Sequence, residues 1–179
     1  MKKQNLLYPA LAAIVGAALL LITLFLPFAS AKGEFKEWLM SYPESIYSEE
    51  ANMKNQDAVH ISLAEFIKID SAAIETGTSE EIAIANMVII IAFAFFSLLT
   101  LLFSILKKPI ATLVFNIISL AVMQLIKFDF EGRGIIPSHS YDWGIAHIIC
   151  YIGIAIITVA AVLLLIMKIK NKRNAKVSE

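Results

Sequence analysis

The stretch AIANMVIIIAFAFFSLLTLLFSIL, residues 83–106, is closed by Lys107-Lys108 and followed at once by PIATLVFNIISLAVMQLI, residues 109–126. Both runs are free of Asp, Glu, Lys and Arg. Each holds roughly the 17–25 residues needed to cross a hydrocarbon layer about 30 Å thick. Backbone polar groups in hydrocarbon must be satisfied within their own segment, so each run predicts a helix. Strand-like alternation, the mark of an outer-membrane barrel, is missing. The short Lys107-Lys108 connection forces the two helices into an antiparallel hairpin, and Pro109 suits the first position of the second one.

Two more runs of the same kind flank the hairpin, Leu6–Phe28 and Gly144–Met167, and 59% of the chain is hydrophobic. The expected fold is therefore an all-α membrane protein, a four-transmembrane-helix bundle with a small extracytoplasmic cap between helices 1 and 2. The first run has a competing reading. Met1-Lys2-Lys3 resembles the basic start of a signal peptide, and Ala29-Ser30-Ala31 has the small-x-small form of a cleavage site. Its 23 apolar-run residues exceed the roughly 7–15 of a signal core, which favours an uncleaved helix. Cleavage after Ala31 would leave three spans.

Charge assigns an orientation. Lys2, Lys3, Lys107, Lys108, Lys168, Lys170, Lys172, Arg173 and Lys176 fall on one side of the spans, opposed only by Glu179. The other side carries six basic residues against 14 acids. The positive-inside rule places both termini in the cytoplasm. Basic usage of 13 Lys to 2 Arg suggests an AT-rich bacterial genome, and a bacterial cell (cytoplasmic) membrane is the expected location. Five cations next to a membrane read as a stop-transfer signal or an anionic-lipid contact, not as a nucleic-acid site.

The chain divides into 1–31, the N-terminus and helix 1; 32–81, an acidic cap; 82–127, the hairpin of helices 2 and 3; 128–143, a short outer loop; 144–167, helix 4; and 168–179, a basic tail. The cap has 4 basic and 11 acidic residues, a net charge of −7. Phe35, Trp38 and Leu39 stand at helical spacing. Ser62-Leu63-Ala64-Glu65 and Thr78-Ser79-Glu80-Glu81 have the spacing of capping boxes, the second opening helix 2. Residues 42–56 read as irregular, with a short strand near Ala58-Val59-His60-Ile61 as an open alternative. Trp38, Tyr42 and Tyr47 suit a headgroup layer, and Phe35, Trp38, Leu39 and Phe66 are the candidate partner-binding residues of the cap.

Within the spans, Asn86, Phe93, Ser97, Thr100 and Ser104 share one face of helix 2, and Thr112, Asn116, Ser119 and Met123 one face of helix 3. Small and hydroxyl residues on one face serve close helix packing and interhelical hydrogen bonds. The alternative is a polar path for a small solute through Ser97, Thr100, Asn116 and Ser119. Ala10, Ala13, Gly16 and Ala17 form a further small-residue face on helix 1. Asp129, Glu131, His139, Tyr141, Asp142, Trp143 and His147 gather near the outer ends of helices 3 and 4 without metal-ligand spacing, and read as an interfacial belt.

The common catalytic patterns are missing: there is one cysteine, Cys150, no His-Glu-x-x-His helix, no phosphate loop and no nucleophile elbow. No catalytic residue, cofactor or metal is expected, and no enzyme. The expected role is a non-catalytic accessory or partner-binding membrane protein, with the lipid bilayer and other membrane or envelope proteins as partners. A small solute or ion permease is the alternative. The layout resembles claudin-like tetraspan proteins in its four spans, cytoplasmic ends and large first outer loop, but that family's Trp-Gly-Leu-Trp motif and paired loop cysteines have no counterpart. Leu26-Pro27-Phe28 at the end of helix 1 and Ser62-Leu63-Ala64-Glu65-Phe66 before helix 2 resemble segments of uncharacterised small bacterial four-span membrane proteins, a resemblance that implies no function.

Overall fold

The computed structural model describes residues 5–177. Lys2, Lys3 and Glu179, which enter the charge distribution, lie outside the described residues, as does the side chain of Lys176. In chain order the elements are α1 (Leu7–Ile22), β1 (Pro27–Ala31), α2 (Gly33–Ser41), β2 (Ile46–Ser48), β3 (Met53–Lys54), α3 (Asn55–Ala58), β4 (His60–Ser62), α4 (Leu63–Glu75), α5 (Glu80–Ile105), α6 (Pro109–Gly132), β5 (Tyr141–Trp143) and α7 (Ile145–Val177). Helices α5, α6 and α7 are long and apolar enough to cross a membrane, while α1, at 16 residues, is shorter.

The four apolar helices close a ring in which α1 packs on α5 and α7, and α6 on the same two neighbours. The α5–α6 hairpin turns through Lys107 at φ 52. The Lys107-Lys108 end of the hairpin is bound by ring stacking of Phe115 on Phe103, with centroids 5.2 Å apart. The predicted small-residue face of α1 is buried, and Gly16 lies against α7. A Cβ on Gly16 would sit 3.0 Å from the Gly153 carbonyl oxygen, so the two backbones meet at a pair of glycines.

The run Leu6–Phe28 is not one helix. Helix α1 stops at Ile22, and Leu24 and Phe25 donate to Leu21 and Ile22 in two tight turns before Pro27 opens a strand. Proline disfavours helical geometry at the residue before it, so the chain must leave the helix by Leu26. Strand β1 is the centre of a three-stranded antiparallel sheet, β4-β1-β5, with Ser30 opposite His60 on one side and Asp142 on the other. The Ala29-Ser30-Ala31 triplet thus forms the last three residues of the central strand. The fold is mostly helical as expected, but it is not all-α.

Further boundaries shift for identifiable reasons. The box at Ser62 forms as expected: Ser62 Oγ accepts from Glu65 N at 3.2 Å and Glu65 Oε2 from Ser62 N at 2.7 Å. The one at Thr78 does not. Thr78 N donates to Ala73 O at 2.8 Å and Gly77, at φ 68, donates to Ile74 O. This is the αL closure of α4, so α5 starts from Ser79 with no side-chain cap. Residues 42–56 are not irregular throughout, because they contain the β2–β3 hairpin. Helix α6 runs past Ile126 to Gly132, into the segment expected as an outer loop, and α7 runs through the basic tail to Val177.

The junction of cap and bundle is aromatic. Phe130 is fully buried, with Phe28 edge-on at 5.7 Å and Phe66 at 4.8 Å, and Phe28 meets Trp143 edge-on at 5.5 Å. This cluster joins the bundle core continuously. A smaller core of Ala31, Leu39, Met53, Ala58 and Val59 fills the cap.

Candidate functional site

The residues predicted from sequence separate into three environments. Ser97, Thr100, Asn116 and Ser119 are all buried. None of the hydrogen bonds they make crosses the α5–α6 hairpin as expected. Thr100 and Ser119 donate back to Phe96 O and Phe115 O on their own helices, each at 2.9 Å. Hydroxyls do this when no better acceptor lies opposite. Asn116 alone crosses to a neighbour, donating to Thr158 Oγ1 at 2.9 Å and Ile154 O at 3.2 Å on α7.

In the cap, Leu39 and Phe66 are interior residues and present nothing to a partner. The 3.6-residue repeat identified an apolar face, and that face turned inward onto the cap's own core. Trp38 stays 52% exposed, stacked on half-buried Phe35 at 5.9 Å, which also meets Tyr141 edge-on at 5.5 Å. Met40, Tyr42 and Ile46 are more exposed still, and Tyr47 is also exposed. Glu34, Glu37, Glu44, Glu49 and Glu50 come from the same stretch of chain.

The belt residues around α6 and β5 are engaged with one another. Asp129 pairs with Arg133, Lys127 with Glu131 at 3.6 Å, and Asp142 with Lys32 at 3.8 Å. His147 Nδ1 lies 2.7 Å from Gly144 O. Among the described residues, no three His, Cys, Asp or Glu side chains gather where a metal ion would be held.

The third environment is a cavity of about 330 Å³ where cap and bundle meet. Its walls are Ala29, Ile61, Phe66, Ile69 and Ile135, with Tyr47, Ser48, Asp70, Asn86, Arg133 and Tyr141 supplying polar groups. The Ser62 cap starts α4 so that Phe66 and Asp70, one turn apart, share its inward face. The αL closure at Gly77 then folds α5 back beside α4. Asn86 is thereby placed where its Nδ2 donates to Asp70 Oδ2 at 2.5 Å. Tyr141 donates its hydroxyl to Ala58 O at 2.8 Å and so offers the cavity its ring. Burial pushes that hydroxyl above its ordinary pKa.

Asp70 is 9% exposed. Burial pushes its carboxyl up to about 6, against the opposing effects of the Asn86 hydrogen bond and the Arg133 charge, while Asp129 adds to the rise. Desolvation outweighs both stabilising contacts, a balance typical of functional sites. Sequence reasoning passed over this residue. The available signal was an acid at helical spacing from Leu63 and Phe66, on the apolar face of α4.

A raised carboxyl makes a signed prediction. The folded state holds a proton on Asp70 up to about pH 6, whereas an unfolded Asp loses it near 3.9, at about pH 4. Asp70 therefore lowers stability progressively as pH rises through that window, and the loss is complete above it. Asp70→Asn keeps the volume and an acceptor for Asn86. Its apparent Tm in detergent is expected to exceed wild type at pH 7.5 and to converge with it near pH 4. A difference that stays constant across this range would show that Asp70 does not titrate in this way.

Compared with known protein families, curated proteins and solved structures, the chain matches none.

Proposed function

We propose that this chain is a non-catalytic, four-span protein of a bacterial cytoplasmic membrane that holds a partner protein of the membrane or envelope on its outer cap. Large apolar side chains cover the outward faces of all four bundle helices, among them Leu11 and Val15 of α1, Ile91 and Phe95 of α5, Ile117 of α6 and Val159 of α7. Lipid is the environment that such a belt requires. Helix α1 rises about 24 Å at 1.5 Å per residue, and the turns at Thr23–Leu26 extend the apolar path toward β1. The charge distribution supports a cytoplasmic position for both termini and an outer position for the cap.

One observation carries the partner-binding reading. The cap's interior is filled by Leu39, Met53, Ala58 and Val59, yet Trp38, Met40, Tyr42, Ile46 and Tyr47 remain exposed among acidic residues. Aromatic and methionine anchors within a polar rim are the composition of a protein-binding face. The acids favour a partner with a basic rim. In a pull-down from membranes, the double variant Trp38→Ala, Ile46→Ala is expected to lose the partners retained by wild type while keeping its own melting temperature. An unchanged set of partners would sink the reading. The permease alternative draws little from the packing, because the Ser97, Thr100, Asn116 and Ser119 side chains are closed into helix contacts.

A further inference from the structure

We propose that the cavity between cap and bundle binds a small organic cation, an alkylammonium or arylalkylammonium ion, with the Asp70 carboxylate as its counter-charge. This site does not rest on the partner-binding reading.

Its size, about 330 Å³, lies at the small end of ligand pockets, which span roughly 300–1,000 Å³. Apolar walls with a few convergent polar groups are the usual make-up of such pockets. The sign of the ligand follows from what each charged group already does. The Arg133 guanidinium is paired with Asp129 and lies 5.4 Å over the Phe130 ring. Among the described residues, Asp70 has only the neutral amide of Asn86 as its hydrogen-bond partner. The charge left without a committed counter-ion is therefore negative. A buried carboxylate in this state is costly, and an entering cation would relieve that cost.

The walls suit the same ligand. Tyr47, Phe66 and Tyr141 bring three aromatic rings to the cavity, and ring faces attract ammonium groups. Ile69 and Ile135 offer surface to an apolar substituent. An anion would meet Asp70 unfavourably. A neutral apolar ligand would leave the carboxylate buried without compensation. The ammonium group has two possible sources, a soluble amine or the headgroup of an ethanolamine lipid.

The test uses the full chain purified in detergent, titrated with 2-phenylethylammonium and with the neutral isostere 2-phenylethanol, and followed by calorimetry and thermal shift. The ammonium ion is expected to bind about tenfold or more tightly than the alcohol, a gap of about 1.4 kcal/mol. Its affinity should fall as pH drops through 6, where Asp70 takes up its proton. Among the described residues, the groups facing Asp70 are Asn86 of α5, Asp129 of α6, Arg133 just after it, Tyr47 of β2 and Tyr141 of β5, and no histidine lines the cavity. Asp70→Asn should remove both the preference for the ammonium ion and its pH dependence. Equal binding of alcohol and ammonium ion by wild type would overturn the proposal, even if the variant fails to fold. So would undiminished ammonium binding by a folded Asp70→Asn. Repeating the titration in phosphatidylglycerol nanodiscs with and without phosphatidylethanolamine separates the sources: competition by the lipid assigns the site to a headgroup, and its absence assigns it to a soluble amine.

Discussion

Gly144→Ala is expected to abolish the folded protein. A Cβ at this position would lie 2.1 Å from the Pro27 carbonyl oxygen and 2.6 Å from its carbon. Both are backbone atoms of the central strand, which is paired on either side by β4 and β5. A flexible side chain can move out of the way, whereas β1 cannot move without breaking one of its two pairings. Gly144 N also donates to Phe28 O at 2.8 Å, so the start of α7 is bonded to the strand that it would have to leave. The cost should exceed about 4 kcal/mol, the range reserved for a named structural failure. Gly132→Ala is the matched control, since its Cβ would meet nothing within 4 Å. Size-exclusion profiles of detergent extracts should show aggregate or degraded protein for Gly144→Ala and a wild-type peak for Gly132→Ala. A monodisperse Gly144→Ala with an unchanged Tm would mean that the strand and α7 are not joined as described.

Gly16→Leu is expected to loosen α1 from α7. The first added carbon would fall 2.8 Å from Ile157 Cγ1 and 3.0 Å from the Gly153 carbonyl oxygen. The remaining atoms of leucine have no space between the helices. Overpacking of this kind costs about 1–3 kcal/mol, a fall of roughly 2–12 °C in Tm for a chain of this size. Val15→Leu, at a side chain that is 56% exposed, should leave Tm unchanged. Equal melting temperatures for both variants would contradict the close approach of the two glycines.

Local features of the chain were legible where one segment decides its own structure. The hairpin of α5 and α6 follows from two apolar runs and a two-residue break. The Ser62 box follows from the spacing of Ser62 and Glu65. The buried faces of α5 and α6 follow from where the small and hydroxyl residues recur, and the small-residue face of α1 from the same rule. Failures came where two segments compete for the same group. Thr78 had the spacing of a cap for α5, but its N–H closes α4 instead. Leu39 and Phe66 have helical periodicity but are buried, because period alone does not say which side of an amphipathic helix meets its own core.

The candidate site was the least legible part. Asp70, Asn86, Arg133, Tyr47 and Tyr141 come from five separate pieces of chain, and no local spacing relates them. In the sequence Asn86 stands out only as a member of the packing stripe on helix 2. Its bond to Asp70 exists because the chain reverses at Gly77.

What the sequence determined by itself is the set of apolar helices, their hairpin order and the separation of acidic from basic segments. Each depends on the preference of consecutive residues for lipid or water, a property summed along the chain and needing no partner. The tertiary structure decided the rest. The end of the first apolar run becomes the central strand of a sheet, since Ala29–Ala31 are bonded by β4 and β5 rather than by their own neighbours. Asp70 becomes a buried carboxylate because a helix of the cap and a helix of the bundle close over it. Both outcomes rest on contacts between residues far apart in sequence, where pairing and desolvation are fixed by the assembled fold.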